Sequence, residues 1–271
     1  MNKTKIQKTK IKKTNISQLF FQLKNYWKLG WLDNKARYAK TYLGEVWIAL
    51  SVIILSIILG AVYGDIFGGV IDGDIKYFSY LALGITLWNC IADSMALGSR
   101  FIIESANQIL NTTYSLKSLF LRKFFYICQN LFIGLISILI VIFFVNKELI
   151  GNYFQLFLPL SVFLVFNLLI IIYFSLIGCL IRDFAEIVPL VTTIIFLGSP
   201  ILYPASRLDD LAWIANVNIP YRVLDIVRSA ILTGEVNYLE CCLVLITGLI
   251  LLLFTFSYLE KNRTKIALWC D

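Results

Sequence analysis

Histidine is absent from all 271 residues, which excludes imidazole acid–base chemistry and histidine-based metal sites. The pattern G-x-x-x-x-G-K-[ST] is absent too, so the chain has no P-loop of its own in which to cradle ATP phosphates. Charged residues make up only 15% of the sequence, and no paired carboxylates sit at helical spacing inside its apolar runs. Such pairs, or histidine, are what a membrane-embedded glycan-lipid transferase would need at the membrane face. Asp93 is the one acid clearly inside an apolar run. An acid there is a candidate proton site or polar contact, with snorkelling to a nearby interface as the alternative. The six cysteines, Cys90, Cys128, Cys179, Cys241, Cys242 and Cys270, show no C-x-x-C spacing and read as small apolar fillers, so no metal site is expected. Proline occurs five times, and two of the five, Pro200 and Pro204, stand four residues apart.

What the chain has instead is apolar surface, 59% of its residues being hydrophobic. That composition marks an all-α integral membrane protein. Apolar runs near the ~20 residues that cross ~30 Å of hydrocarbon predict six transmembrane helices at about 46–63, 77–98, 124–145, 154–181, 187–203 and 239–259. The third and fourth runs contain no charge at all. Nineteen of the 24 Lys and Arg residues fall before the first run, between the second and third, between the fourth and fifth, or after the sixth. The positive-inside rule then puts both termini in the cytoplasm, in agreement with an even number of spans. The net charge of +7 is thus a topology signal, and no nucleic-acid partner is expected. The first 45 residues are basic and mostly polar, so the first run reads as an anchor and not as a cleavable signal.

Residues 1–28 begin with six lysines in fifteen positions and are expected to form a basic disordered tail drawn to anionic lipid. From 29 to 47, Leu32, Ala36, Leu43 and Trp47 share one helical face, while Asp33, Arg37, Lys40 and Thr41 share the other. This predicts an amphipathic interface helix; an ordinary basic flank is the alternative. Gly60, Gly64 and Gly68 repeat every four residues, either as a helix-packing or dimer seam or as the start of a loop. The segment 100–123 is too polar to cross and long enough for a short cytoplasmic helix that meets a soluble partner. Residues 260–271 form a cytoplasmic C-terminal tail.

Arg182 to Pro204, RDFAEIVPLVTTIIFLGSPILYP, joins a charged turn to an apolar span and then to a proline break, which predicts a helix that crosses and fails to continue. After it, Arg222, Asp225 and Arg228 are spaced by three, so ion pairs line one helical face while Val223, Leu224, Val227 and Ile231 cover another. This segment suits a re-entrant outer hairpin turning near Asn218 to Pro220, or a plain amphipathic loop. Tyr63, Tyr77, Tyr80, Trp88, Phe196 and Tyr203 sit in outer or middle parts of spans; they are either membrane-belt residues or rings on which sugars stack.

Taken together, ARYAKTYLGEVWIAL, KYFSYLALGITLWN, the RDF at 182–184, SPILYP at 199–204 and NIPYRVLDIVRSAIL resemble the membrane subunit of type-2 ABC exporters, in the branch that exports O-antigen, capsular polysaccharide or teichoic acid. The resemblance runs over 29–259 and implies a single type-2 ABC transmembrane domain there. It implies a homodimer of this chain with two copies of a separate P-loop ABC ATPase, which supplies the ATP and Mg sites; no cofactor is expected in this chain. The cargo implied is a polyprenyl-diphosphate-linked glycan, moved outward across a bacterial inner membrane. By the same resemblance Arg37, Tyr38, Tyr42, Asn107, Thr112, Ser115, Lys117, Arg182 and Asp183 meet the ATPase, with 107–118 as the coupling helix. The six aromatics, with Ser199 and Pro200, border the pathway, and Asn218, Pro220, Arg222, Asp225 and Arg228 belong to re-entrant outer helices. One departure is that the coupling segment TTYSLKSLFLRK lacks the proline that family members often carry. The competing reading is the same fold with another cargo, such as a drug, peptide or lipid.

Overall fold

A computed structural model describes residues 16–67, 69–71, 75–111, 115–145, 153–181, 183–205 and 213–268. The described residues are almost entirely helical: α1 Ile16–Tyr38, α2 Val46–Phe67, α3 Tyr77–Asn111, α4 Leu116–Val145, α5 Phe157–Leu180, α6 Phe184–Gly198, α7 Trp213–Val217, α8 Ile219–Leu232, α9 Tyr238–Lys261 and α10 Arg263–Leu268. A two-residue antiparallel ladder, Val70–Ile71 with Ile75–Lys76, lies between α2 and α3.

Five helices, α2, α3, α4, α5 and α9, are long and apolar enough to cross a membrane. The fifth predicted span is shorter: α6 has 15 residues, about 22 Å at 1.5 Å per residue, and gives way at Ser199 to irregular backbone. Two helices overrun their predicted ends. α3 continues to Asn111 and α4 starts at Leu116, because the charges at Arg100, Glu104, Lys117 and Arg122 break hydropathy without breaking helix geometry. The expected coupling helix over 107–118 is therefore divided: 107–111 close α3 and 116–118 open α4, with 112–114 outside the described residues.

The N-terminal expectation also shifts. Helix α1 starts at Ile16, inside the stretch expected to be disordered, and ends at Tyr38, well before 47. Gly44, with φ of +55°, adopts the left-handed backbone that glycine alone takes without strain; it separates α1 from α2. The lysine-rich residues 1–15 lie outside the described residues.

Helix α3 is the hub, packed against α2, α4, α5, α6, α8 and α10. Its closest partner is α5, and the approach depends on missing side chains. A Cβ on Gly98 would lie 2.9 Å from the Ile171 carbonyl oxygen, and one on Gly178 would lie 2.0 Å from that of Ser99. Small residues facing each other this way let two backbones meet, a major source of helix association where lipid removes the hydrophobic drive. Deep in this seam the Ser94 hydroxyl lies 2.8 Å from Asn167 Oδ1, and the Asn167 amide donates to Phe163 O at 2.8 Å. On α2, Gly60 and Gly64 belong to the helix and not to a loop. Gly60 faces the Phe78 ring at the start of α3.

Candidate functional site

At the end of the bundle where α1 lies, α1 is fastened along the first half of α4. Gly30 permits the contact, since a Cβ there would lie 2.8 Å from the Tyr126 amide nitrogen. Asp33 accepts from both Arg122 Nε, at 3.0 Å, and Arg122 Nη2, with Lys123 3.7 Å away. Buried Asn34 donates to Gln129 at 3.2 Å, and Gln129 donates back to Trp27 O at 2.7 Å. A forked guanidinium–carboxylate bond of this kind is directional as well as strong. Together these bonds fix the roll of α1 about its axis. Beside them a cavity of about 420 Å³ opens between α1, the end of α3 and the start of α4, lined by Asn25, Tyr26, Gln108, Ser118 and Arg122 among others.

The residues predicted for the ATPase interface gather at this end. Arg37 donates to Tyr126 Oη at 2.5 Å and lies over the Tyr38 ring. Partial burial works against its charge, but Tyr126, Tyr38 and Asp93 outweigh that and hold its pKa above the ordinary value. Burial likewise raises the pKa of Tyr38, with Arg37 opposing. Tyr42 is fully exposed between α1 and α2. Asn107 and Lys117 are exposed, and Ser115 caps α4 by accepting from Ser118 N at 3.2 Å. Asp183 is exposed at the start of α6, where its carbonyl accepts from Glu186 N and Ile187 N. The nearby Arg100–Glu186 pair, at 2.9 Å, ties α3 to α6. Thr112 and Arg182 lie outside the described residues.

At the opposite end the proline break of α6 is wrapped in donors. Breaking a helix frees carbonyls, and a buried carbonyl without a partner costs about 1–3 kcal/mol. Tyr80 donates to Pro200 O at 2.9 Å and Tyr203 O at 3.2 Å, while Tyr77 donates to Leu202 O. Arg228, 1% exposed, reaches Pro200 O at 3.4 Å through both Nη atoms. Its guanidinium lies 3.7 Å from the Tyr80 ring centroid and pairs with Asp225 at 2.5 Å. Asn218 joins the break to α8: its Nδ2 donates to Ser199 Oγ at 2.6 Å and its Oδ1 caps α8 by accepting from Tyr221 N at 3.0 Å. Pro220 follows in the first turn, where its missing N–H costs nothing.

These contacts change the reading of several aromatics. Tyr77, Tyr80 and Trp88 are buried inside the protomer. The two tyrosines hold the broken backbone in place, and Trp88 packs against Phe196 with centroids 5.8 Å apart; none of the three rings is free to stack on a sugar here. Tyr63, Phe196 and Tyr203 are half-buried. The expected Asp225–Arg228 pair is present, whereas Arg222 turns to Glu240 at 2.5 Å. Val223, Leu224 and Val227 face the core, with Ile231 partly buried against it. Sequence reasoning missed the Asp33–Arg122 lock. Its one available signal was that Asp33 is the only acid among the first 44 residues.

A bundle of apolar helices with a recess at one end and a tethered proline break at the other is that of a multi-pass membrane transporter subunit. Residues 24–232 match the ABC-2 type transporter family, and the chain belongs to it; such chains are the membrane components of ABC transporters and work with an ATP-binding partner. The chain is also similar to the O-antigen export system permease protein RfbA of Klebsiella pneumoniae. The two are 25% identical over 243 residues, which is 87% of this chain and 90% of that relative.

Proposed function

We propose that this chain is the channel-forming subunit of an ATP-driven exporter, carrying a lipid-linked polysaccharide of O-antigen or capsular type outward across a bacterial inner membrane. The observation that carries this reading is the likeness to an O-antigen export permease over nearly the whole of both chains. On this reading the α1 end is cytoplasmic, as the distribution of Lys and Arg favours. The recess beside Tyr26, Gln108 and Arg122 receives the ATPase, which holds the ATP and Mg. Arg37, Tyr38, Tyr42, Asn107, Ser115, Lys117 and Asp183 belong to that contact, and the resemblance assigns Thr112 and Arg182 to it as well. Two copies of the chain pair, and the polyprenyl-diphosphate glycan passes between them toward the α7–α8 hairpin. Tyr63, Phe196 and Tyr203 are the rings left to guide it. ATP-driven closure of the two ATPases moves α1 and, through the Asp33–Arg122 lock, α4.

The test is to express the chain with its ABC ATPase in cells that make a lipid-linked glycan. Copurification of the two proteins and nucleotide-dependent appearance of glycan at the cell surface are expected. D33A/R122A should lower the amount of ATPase that copurifies while the chain still inserts. Failure of any ATPase to bind, or transport that continues without nucleotide, overturns the proposal. ATP-driven export of a drug, peptide or non-glycan lipid, with no glycan exported, would keep the fold reading and replace the cargo.

A further inference from the structure

A second, more polar cavity, of about 210 Å³, lies where the end of α1 meets α2, α3 and α4. Its walls include Arg37, Ser51, Thr86, Asn89, Asp93 and Asn130. Asp93 stands about 24 Å along α3 from Tyr77 at 1.5 Å per residue, most of the way through the ~30 Å hydrocarbon layer. Ser51 belongs to the first two turns of α2. The cavity thus sits near the boundary between hydrocarbon and headgroups on the α1 side. The export reading uses Arg37 and Tyr38 at its edge and leaves Asp93 and its other walls without a role.

Its chemistry is lopsided. Among the described residues Asp93 forms no hydrogen bond or ion pair, and Arg37 is the charge that acts on it across the cavity. Asn130 Oδ1 is buried without a partner. Ser51 donates its hydroxyl proton to Ile48 O at 3.0 Å and Thr86 donates to Ala82 O at 2.7 Å, so each offers a ligand only lone pairs. An unpaired carboxylate thus shares the cavity with hydroxyls that offer only lone pairs and with the amides of Asn89 and Asn130, which accept as well as donate, a setting that suits a cation bearing several N–H donors. Arg37 lines the same cavity, fixed by Tyr126 yet keeping most of its five donors, which suits a phosphate. Outside, Val46, Trp47, Ile54 and Ile58 expose apolar surface along α2, a track for acyl chains.

We propose that this cavity binds the zwitterionic headgroup of a phosphoethanolamine lipid, phosphate on Arg37 and ammonium on Asp93, with the acyl chains along α2. The inference rests on the membrane-transporter reading but needs neither the ATPase nor the cargo. One positive and one negative side chain match a headgroup of zero net charge. A polyprenyl diphosphate would set two or more negative charges against Asp93, which separates this site from any cargo site. Phosphatidylcholine carries no N–H on its ammonium, and phosphatidylglycerol carries no cation.

The experiment measures lipid retained by the full chain in detergent, by native mass spectrometry. Dioleoyl-phosphatidylethanolamine, -phosphatidylcholine and -phosphatidylglycerol are offered at equal concentration. The expected result is at least about tenfold stronger retention of phosphatidylethanolamine, the change associated with one charge-assisted hydrogen bond, and loss of that preference in D93N. Should D93N fail to insert, N130A serves as the second variant, and a rise in melting temperature with phosphatidylethanolamine alone gives a reading on the native chain. Equal retention of the three lipids, or an undiminished preference in D93N, overturns the proposal. So does phosphoethanolamine without acyl chains competing as well as the lipid, which would make the ligand a soluble zwitterion. None of these outcomes touches the export reading, which is judged by ATPase copurification.

Discussion

Helix α3 and the pair α2 and α9 are all membrane-crossing helices, yet they solve opposite problems. Within its best membrane window α3 is 72% buried by its own chain, whereas α2 and α9 are each 17% buried. The buried helix is the least apolar of the three and carries Ser79, Thr86, Ser94, Ser99 and Ser105 among its buried residues. The exposed helices present Ile54, Ile57, Ile58, Ile250, Leu253 and Phe254 outward. In lipid the outside of a protein must be greasy, while the inside gains from small side chains and from hydrogen bonds between helices. Hydropathy therefore finds the helices but ranks them in the wrong order for burial.

Substitutions that probe each side of this contrast should differ in size. The largest loss is expected from Gly178→Val, because its Cβ would meet the Ser99 carbonyl oxygen at 2.0 Å, and backbone cannot step aside. Folded yield by size-exclusion chromatography should collapse. Gly248→Val in α9 is the matched control: its Cβ meets side chains alone, Val165 at 2.9 Å and Leu169 at 3.9 Å, which can turn aside, and most of the yield should remain. Equal losses would break the contrast. Next comes Arg228→Met, which removes the guanidinium from Pro200 O and from Tyr80. About 2–3 kcal/mol of stability should be lost, read as a lowered melting temperature in detergent. Tyr80→Phe keeps the ring beside Arg228 but removes the donor to two carbonyls, so about 1–2 kcal/mol is expected from the same measurement. Leu253→Ala, at a side chain 68% exposed, should change stability by under about 0.5 kcal/mol. A loss several times larger would show that this face of α9 packs against another chain and not against lipid.

Much of the architecture was legible because membrane physics writes strongly in one dimension. Five spans were recovered within a few residues at one or both ends, and the Asp225–Arg228 pair and the turn at Asn218 followed from spacing and capping rules. Spacing did not reveal that Arg228 would be buried. The roles of Tyr77 and Tyr80 were not legible either, since their acceptors lie about 120 residues away along the chain and belong to backbone, which leaves no side-chain signature. Tyrosine in an outer span reads as belt or sugar platform until the broken helix beside it is seen. The overrun of α3 and α4 was missed for a simpler reason. Charge ends a hydrophobic run without ending a helix, since charged side chains on an exposed face leave the backbone hydrogen bonds intact. The side chains expected to face an ATPase were named by resemblance, and what geometry adds is that those described lie at one end of the bundle.

Helix α3 is gripped near both ends. At one, Arg263 donates to Ile109 O at 2.7 Å; at the other, Tyr80 and Arg228 clasp the broken strand after α6. Between these grips run about 44 Å of uninterrupted helix, stiffened by its glycine seam with α5. A single stiff helix thus joins the contact made by Arg263 to the proline break, so the two ends cannot shift along its axis independently. The short helix α10, which looks like a mere appendage, is thereby packed on one end of the longest helix in the fold.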